Sequence, residues 1–199
     1  METVKFTSEN TGMLLIDHQV GTMGWVGSLP FEALKSNALI LANAAKIMHI
    51  PVVLTSSMEE YAQGPLLSEL KDILPEAFEQ RIKRMGIVNA MDDDNFRRAV
   101  EALGKKNLIV AGVTNDVCTV HPVLTLLSEG YNVQVVVDAG GSPTKLSDDI
   151  AGERMARNGA VMTGTNQLVA ELVKDWTTPA GQQVIQVLNE LVFSKMNQA

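Results

Sequence analysis

Cysteine is nearly absent from this chain of 199 residues, which also has three histidines and two tryptophans. A lone Cys118 cannot form an intramolecular disulfide, which suits a reducing cytosol, so a cytoplasmic location is expected. His18, His49 and His121 show no ligand-like spacing, so no metal is expected, and no sequence feature calls for a cofactor. Positive charge is in short supply, with 16 Lys and Arg against 23 Asp and Glu and a formal net charge of −7. That balance argues against nucleic acid and anionic membrane as partners, since both need clustered cations. No apolar run approaches the roughly 20 residues of a membrane span. The opening METVKFTSEN lacks the apolar core of a signal peptide. Internal repeats, low-complexity tracts and linkers are missing too. A soluble intracellular protein forming one domain over residues 1–199 is expected, with 46% hydrophobic residues to build its core.

Short aliphatic runs alternate with segments of helical period. MLLID (13–17), VVLTS (52–56), LIVAG (108–112) and VQVVVD (133–138) are almost continuously apolar, as strands covered on both faces must be. Weaker strands fit 80–83 and 160–163. Helical patterns occupy 31–49, 66–74, 94–103, 116–129, 147–158 and 166–175, and a helical tail occupies about 180–196. The alternation predicts an α/β fold, a doubly wound parallel sheet with helices on both faces. In such sheets sites form outside the carboxyl ends of the strands. Asp17 closes the first strand and Cys118 follows the fourth, so both project toward one rim.

Three stretches could carry chemistry. In AGVTNDVC (111–118) the lone thiol comes just after a buried strand. It is either a small core hydrophobe or a nucleophile in the first turn of a helix, where free N–H groups and the dipole favour a thiolate. Asp17 either caps a loop or is a carboxyl group whose burial suits it to general acid–base work. His18 beside it points to the opposite face of the strand and reads as a satisfied polar residue. RIKRMG (81–86) holds three cations in six residues, either a solvated edge or a weak strand turning one cation inward beside Cys118.

Taken together, MLLIDHQ, KRMGIVNAMDD and AGVTNDVC resemble the isochorismatase-like cysteine hydrolases over roughly residues 10–175, and most nearly the YcaC-type subgroup. The resemblance implies a parallel sheet flanked by helices and a triad of Asp17, a cation at 83–84 and Cys118. It implies a cis peptide at Val113–Thr114 and an oxyanion site at the N–H groups of Thr114 and Cys118. RMGIVNAM matches the subgroup's stretch in which arginine replaces lysine, which selects Arg84 and keeps Lys83 as the alternative cation. A guanidinium does not release its proton, so its role would be electrostatic. Two departures narrow the chemistry. SSMEEYAQGP (56–65) has none of the histidines with which nicotinamidases hold a metal. Isochorismate-cleaving relatives do not use a nucleophilic cysteine.

The expected function is therefore metal-independent hydrolysis of a small amide, ureide or related C–N bond through a Cys118 thioester. Two alternatives stand beside it: a nucleotide- or flavin-binding module using AGGSPT (139–144), and a catalytically silent member serving as an assembly subunit. Trp25 and Phe31 are candidates for the pocket mouth. The tail stripe Val184, Val187, Leu188 and Leu191 must be buried on its own chain or on a neighbour, and family habit favours a homo-oligomer.

Overall fold

Strand β1 (Thr11–Ile16) is buried at every position, and so is β4 (Asn107–Gly112), its parallel neighbour. In the computed structural model, which describes residues 4–194, these two form the centre of a six-stranded sheet. β2 (Val52–Ser57) and β3 (Ile82–Arg84) extend it on one side, and β5 (Asn132–Val136) and β6 (Val161–Thr163) on the other. The order is β3-β2-β1-β4-β5-β6, with every pair parallel. Strand alternation divides the core. Met13 and Leu15 face one layer with Ile109 and Ala111, while Leu14 and Ile16 face the other with Leu108 and Val110. The first layer is closed by α2 (Phe31–Ile47), α8 (Thr165–Val173) and α9 (Pro179–Leu188). The second is closed by α5 (Asp94–Ala102), α6 (Val120–Ser128) and α7 (Lys145–Arg157), which contribute Phe96, Val123, Leu126 and Met155.

The chain builds outward from β1 to β3, then returns to place β4 against the other edge of β1. The direction of winding therefore reverses between β1 and β4, where the helices diverge and leave a crevice. The carboxyl ends of β1, β3 and β4 deliver Asp17, Arg84 and the Cys118 turn to that crevice.

Departures from the sequence reading lie at the joints. The helix expected over 66–74 contracts to α3 (Glu69–Ile73), and a short α4 (Pro75–Glu79) follows with proline in its first turn. Leu74 between them has φ −127° and ψ 61°, because the residue before a proline is driven out of the helical region. The third strand begins at Ile82 rather than residue 80. A short α1 (Val20–Gly24) forms where no helix was expected. The helix expected from 116 opens instead as a π turn, Asn115–Thr119. The tail folds as α9 and a second π turn, Asn189–Phe193, and residues 195 and 196 lie outside the described part. Val184 and Leu188 are buried in the first core layer with Val187 and Leu191 packed against it, so this stripe is covered by its own chain.

Candidate active site

Asp17 is the first residue beyond β1 and adopts φ 57°, a conformation Asp tolerates better than most side chains. Its N–H donates to the Thr55 carbonyl at 2.9 Å, which holds the turn against β2. Carboxylate Oδ2 accepts from Arg84 Nη2, and both side chains are 1% exposed. Arg84 ends β3, and each of its three side-chain nitrogens donates. Nε donates to Thr55 Oγ1 at 3.0 Å and Nη1 to the Ile87 carbonyl, while Thr55 Oγ1 donates to the Ile82 carbonyl at 2.7 Å. Lys83, one residue earlier, projects to the other face and meets Glu59 at 3.1 Å with its own side chain 57% exposed, beside Arg81 on the same carboxylate at 2.7 Å. Strand alternation thus puts Arg84 of RIKRMG inside and Lys83 on the surface, while Arg81, 14% exposed, sits just ahead of the strand.

The Cys118 turn is fixed at several points. Val113 N–H donates to the Ile16 carbonyl at 3.0 Å, and the Val113–Thr114 peptide is cis. Asn115 donates its backbone N–H to Gly141 O at 2.7 Å, and its side-chain amide to Val137 O and Asp148 Oδ1. Gly140 is required here, since a Cβ would come within 2.3 Å of Asn115 Oδ1 and 2.6 Å of Gly112 O. The half-buried Cys118 lies within interaction range of the Asp17 carboxyl group.

The electrostatics correct one expectation. The helical turn was expected to favour a thiolate, but burial pushes the Cys118 thiol up to about 12, and the Asp17 charge adds to the effect. Arg84 and a backbone hydrogen bond from Thr114 pull the other way. Burial also raises Asp17 above its ordinary 3.8, opposed by Arg84 and then by Cys118. The resting site is a neutral thiol beside the buried Asp17–Arg84 contact.

Asp17, Arg84, Thr114 and Cys118 share the wall of one cavity of about 300 Å³. Trp25 lines it, whereas Phe31 stands on α2 away from it. Sequence reading missed Gln19, which ties the rim together. Its amide donates to Ser57 O and Gly64 O, and its oxygen accepts from Ser57 N–H at 2.8 Å. An amide two residues past a strand-ending acid was the available signal. It also missed Thr55, whose role depends on cross-strand register with Ile82.

His18 is buried and away from the cavity wall. Its Nε2–H donates to Ala139 O at 2.7 Å, its Nδ1 has no partner, and burial lowers it to about 4, so it is neutral. The AGGSPT backbone is spent on packing rather than open to a phosphate: Ala139 O takes His18, Gly141 O takes Asn115, and Ser142 N–H meets Ser28 Oγ at 3.0 Å. Among the described residues no group of three or more His, Cys, Asp or Glu is placed to hold a metal ion, and no helix is long and apolar enough to cross a membrane.

A parallel sheet that gathers an acid, a guanidinium and a thiol around one cavity at its switch point defines a doubly wound α/β enzyme. The isochorismatase domain matches residues 11–167, and the chain belongs to this hydrolase family. It is 37% identical over 173 residues to the probable hydrolase YcaC of Escherichia coli, covering 87% of this chain and 82% of that one. Two solved structures superpose on it with TM-scores of 0.92. One is YcaC from Pseudomonas aeruginosa, 35% identical over all of this chain and 96% of its own, holding hexane-2,5-diol and covalent acrylamide. The other is the E. coli YcaC gene product, 34% identical with the same coverage, an octameric hydrolase of unknown specificity.

Proposed function

We propose that the chain is a cysteine hydrolase that cleaves a small amide, ureide or related C–N bond through a thioester on Cys118. The observation that carries this reading is the meeting of Asp17, Arg84 and Cys118, from three different strand ends, on one cavity wall. Asp17 accepts the Cys118 proton as sulfur attacks the carbonyl carbon. The thiol's high resting value suits this order, because the nucleophile forms only as the base takes its proton. Negative charge on the carbonyl oxygen passes to the backbone N–H groups of Thr114 and Cys118. Asp17 then gives its proton to the departing nitrogen. It next takes one from the water that cleaves the thioester, which returns the thiol. Arg84 holds the Asp17 carboxylate in place.

Acrylamide is a thiol-seeking electrophile, and its covalent presence in the P. aeruginosa relative supports a reactive group in this fold. The octameric E. coli relative supports a homo-oligomeric state here. The test is hydrolysis of small amides, ureides and carbamoyl compounds by the wild type and Cys118→Ala. Hydrolysis lost in the variant supports the thioester route. A detected hydrolysis that survives the substitution overturns it.

A further inference from the structure

The cavity wall carries charge of a particular kind. Among the described residues that line it, Arg84 is the one cation; Asp17, Thr55 and the Ile87 carbonyl each hold one of its donors, and its side chain is 1% exposed, so it presents almost no surface to a ligand. Two carboxyl groups, Asp17 and Asp116, share the wall. Much of the remaining surface is apolar, formed by Trp25, Met58, Ile87, Val88, Val117 and Pro143. A substrate carboxylate entering here would shed its water, meet a cation already paired with Asp17 and face like charge. Of the two amide side chains on the wall, one is spent and one is nearly free. Gln19 uses its amide on Ser57 and Gly64, and Gln63 reaches only Met58 Sδ at 3.6 Å. Asp17 Oδ1 and Asp116 Oδ1 on the wall lack partners, and so, among its neutral side chains, does Thr22 on α1. It lines the cavity, is 4% exposed, and its Oγ1 is buried with no partner. A buried hydroxyl without a partner is costly unless a ligand completes it.

We infer that the cavity selects a small uncharged acyl compound with an apolar body, and that the Thr22 hydroxyl holds its polar end. This rests on the cysteine-hydrolase reading and narrows it: acids, isochorismate among them, are rejected on charge.

Iodoacetamide and iodoacetate are near-isosteric and differ in charge, and either can alkylate the one thiol with loss of iodide. The ratio of their rates, divided by the same ratio for the urea-unfolded chain, removes intrinsic reactivity and thiolate fraction. It should favour iodoacetamide by at least about tenfold, as unscreened charge repulsion at close range requires. A folded ratio equal to or below the unfolded one overturns the selection. Asp116→Asn should speed iodoacetate more than iodoacetamide. Thr22→Val, which removes the hydroxyl and keeps the shape, should raise the half-saturating iodoacetamide concentration several-fold with the limiting rate unchanged, and Thr22→Ser should restore it. Unchanged saturation in Thr22→Val overturns the Thr22 assignment. Hydrolysis of butyramide against succinamate separates the two readings. Faster hydrolysis of the acid-bearing amide sinks the selection and leaves the hydrolase standing. Charge-selective alkylation without any amide hydrolysis does the reverse.

Discussion

At the scale of single residues, Asp17 and Arg84 act on the thiol with opposite signs, and that makes their roles separable. The Asp17 charge raises Cys118 and the Arg84 charge lowers it. Asp17→Asn should therefore move the alkylation profile of Cys118 to lower pH, while hydrolysis falls by about 10²–10⁴ because the proton acceptor is gone. A variant that alkylates faster and hydrolyses hardly at all would distinguish a base from a merely structural acid. Arg84→Ala should do the opposite to the thiol, slowing alkylation near neutral pH. It also leaves a buried carboxylate unpaired, at a cost of about 3 kcal/mol or more. Arg84→Lys keeps the charge and guards against simple unfolding, although an ammonium cannot span Thr55, Ile87 and Asp17 at once. Lys83→Ala should alter neither the alkylation profile nor the denaturation midpoint appreciably. A shifted profile in Lys83→Ala alone would make Lys83 the cation of the site.

At the scale of elements, the weakest part of the scaffold is β3, a three-residue edge strand that carries Arg84. Glu59 clamps it from β2's side, accepting from Arg81 and Ser56 and meeting Lys83. Arg81 above all pulls the Glu59 carboxyl from 4.5 down to about 2. A depressed carboxyl stabilises the fold above its unfolded value and loses that contribution as pH falls through its folded value. The Glu59 contribution should thus be complete near pH 6 and gone near pH 2. Chemical denaturation of Glu59→Gln should show a deficit of about 1–2 kcal/mol at pH 6, after allowance for solvent screening, that closes with acid. A deficit independent of pH would mean the clamp is not ionic. β3 also shows what sequence could and could not reveal. The central strands were legible because burial on both faces leaves near-continuous apolar runs such as MLLI and LIVA. The inward turn of Arg84 was legible only through alternation joined to family resemblance, since RIKRMG by itself also describes a solvated edge. The π turn at 115–119 and the role of Thr55 were hidden, because each depends on partners far along the chain, Gly141 and Ile82. The resting thiol was misjudged for the same reason: a local helical turn favours the thiolate, but burial against Asp17 outweighs it.

At the scale of the whole molecule, the tail stripe no longer argues for assembly, because α9 spends it on the first core layer. The argument moves to apolar side chains that the fold leaves in the open. Met85 is 74% exposed beside Arg84, and Leu146 and Ile150 are 69% and 57% exposed on α7, which packs against the Cys118 turn. Apolar side chains this exposed are candidates for cover by a partner. With an octameric relative of the same fold, a second copy of this chain is the occupant we propose. Light scattering at micromolar concentration should then return a mass several times 21.5 kDa. Met85→Glu and Leu146→Glu, at positions 74% and 69% exposed, should lower that mass while circular dichroism stays unchanged. A particle of 21.5 kDa in the wild type would end the proposal. A large particle indifferent to both substitutions would place the interface elsewhere on the surface. If instead dissociation by Met85→Glu also slows Cys118 alkylation, the neighbouring copy helps to shape the cavity, since Met85 lies between Arg84 and the Gly86 that lines it.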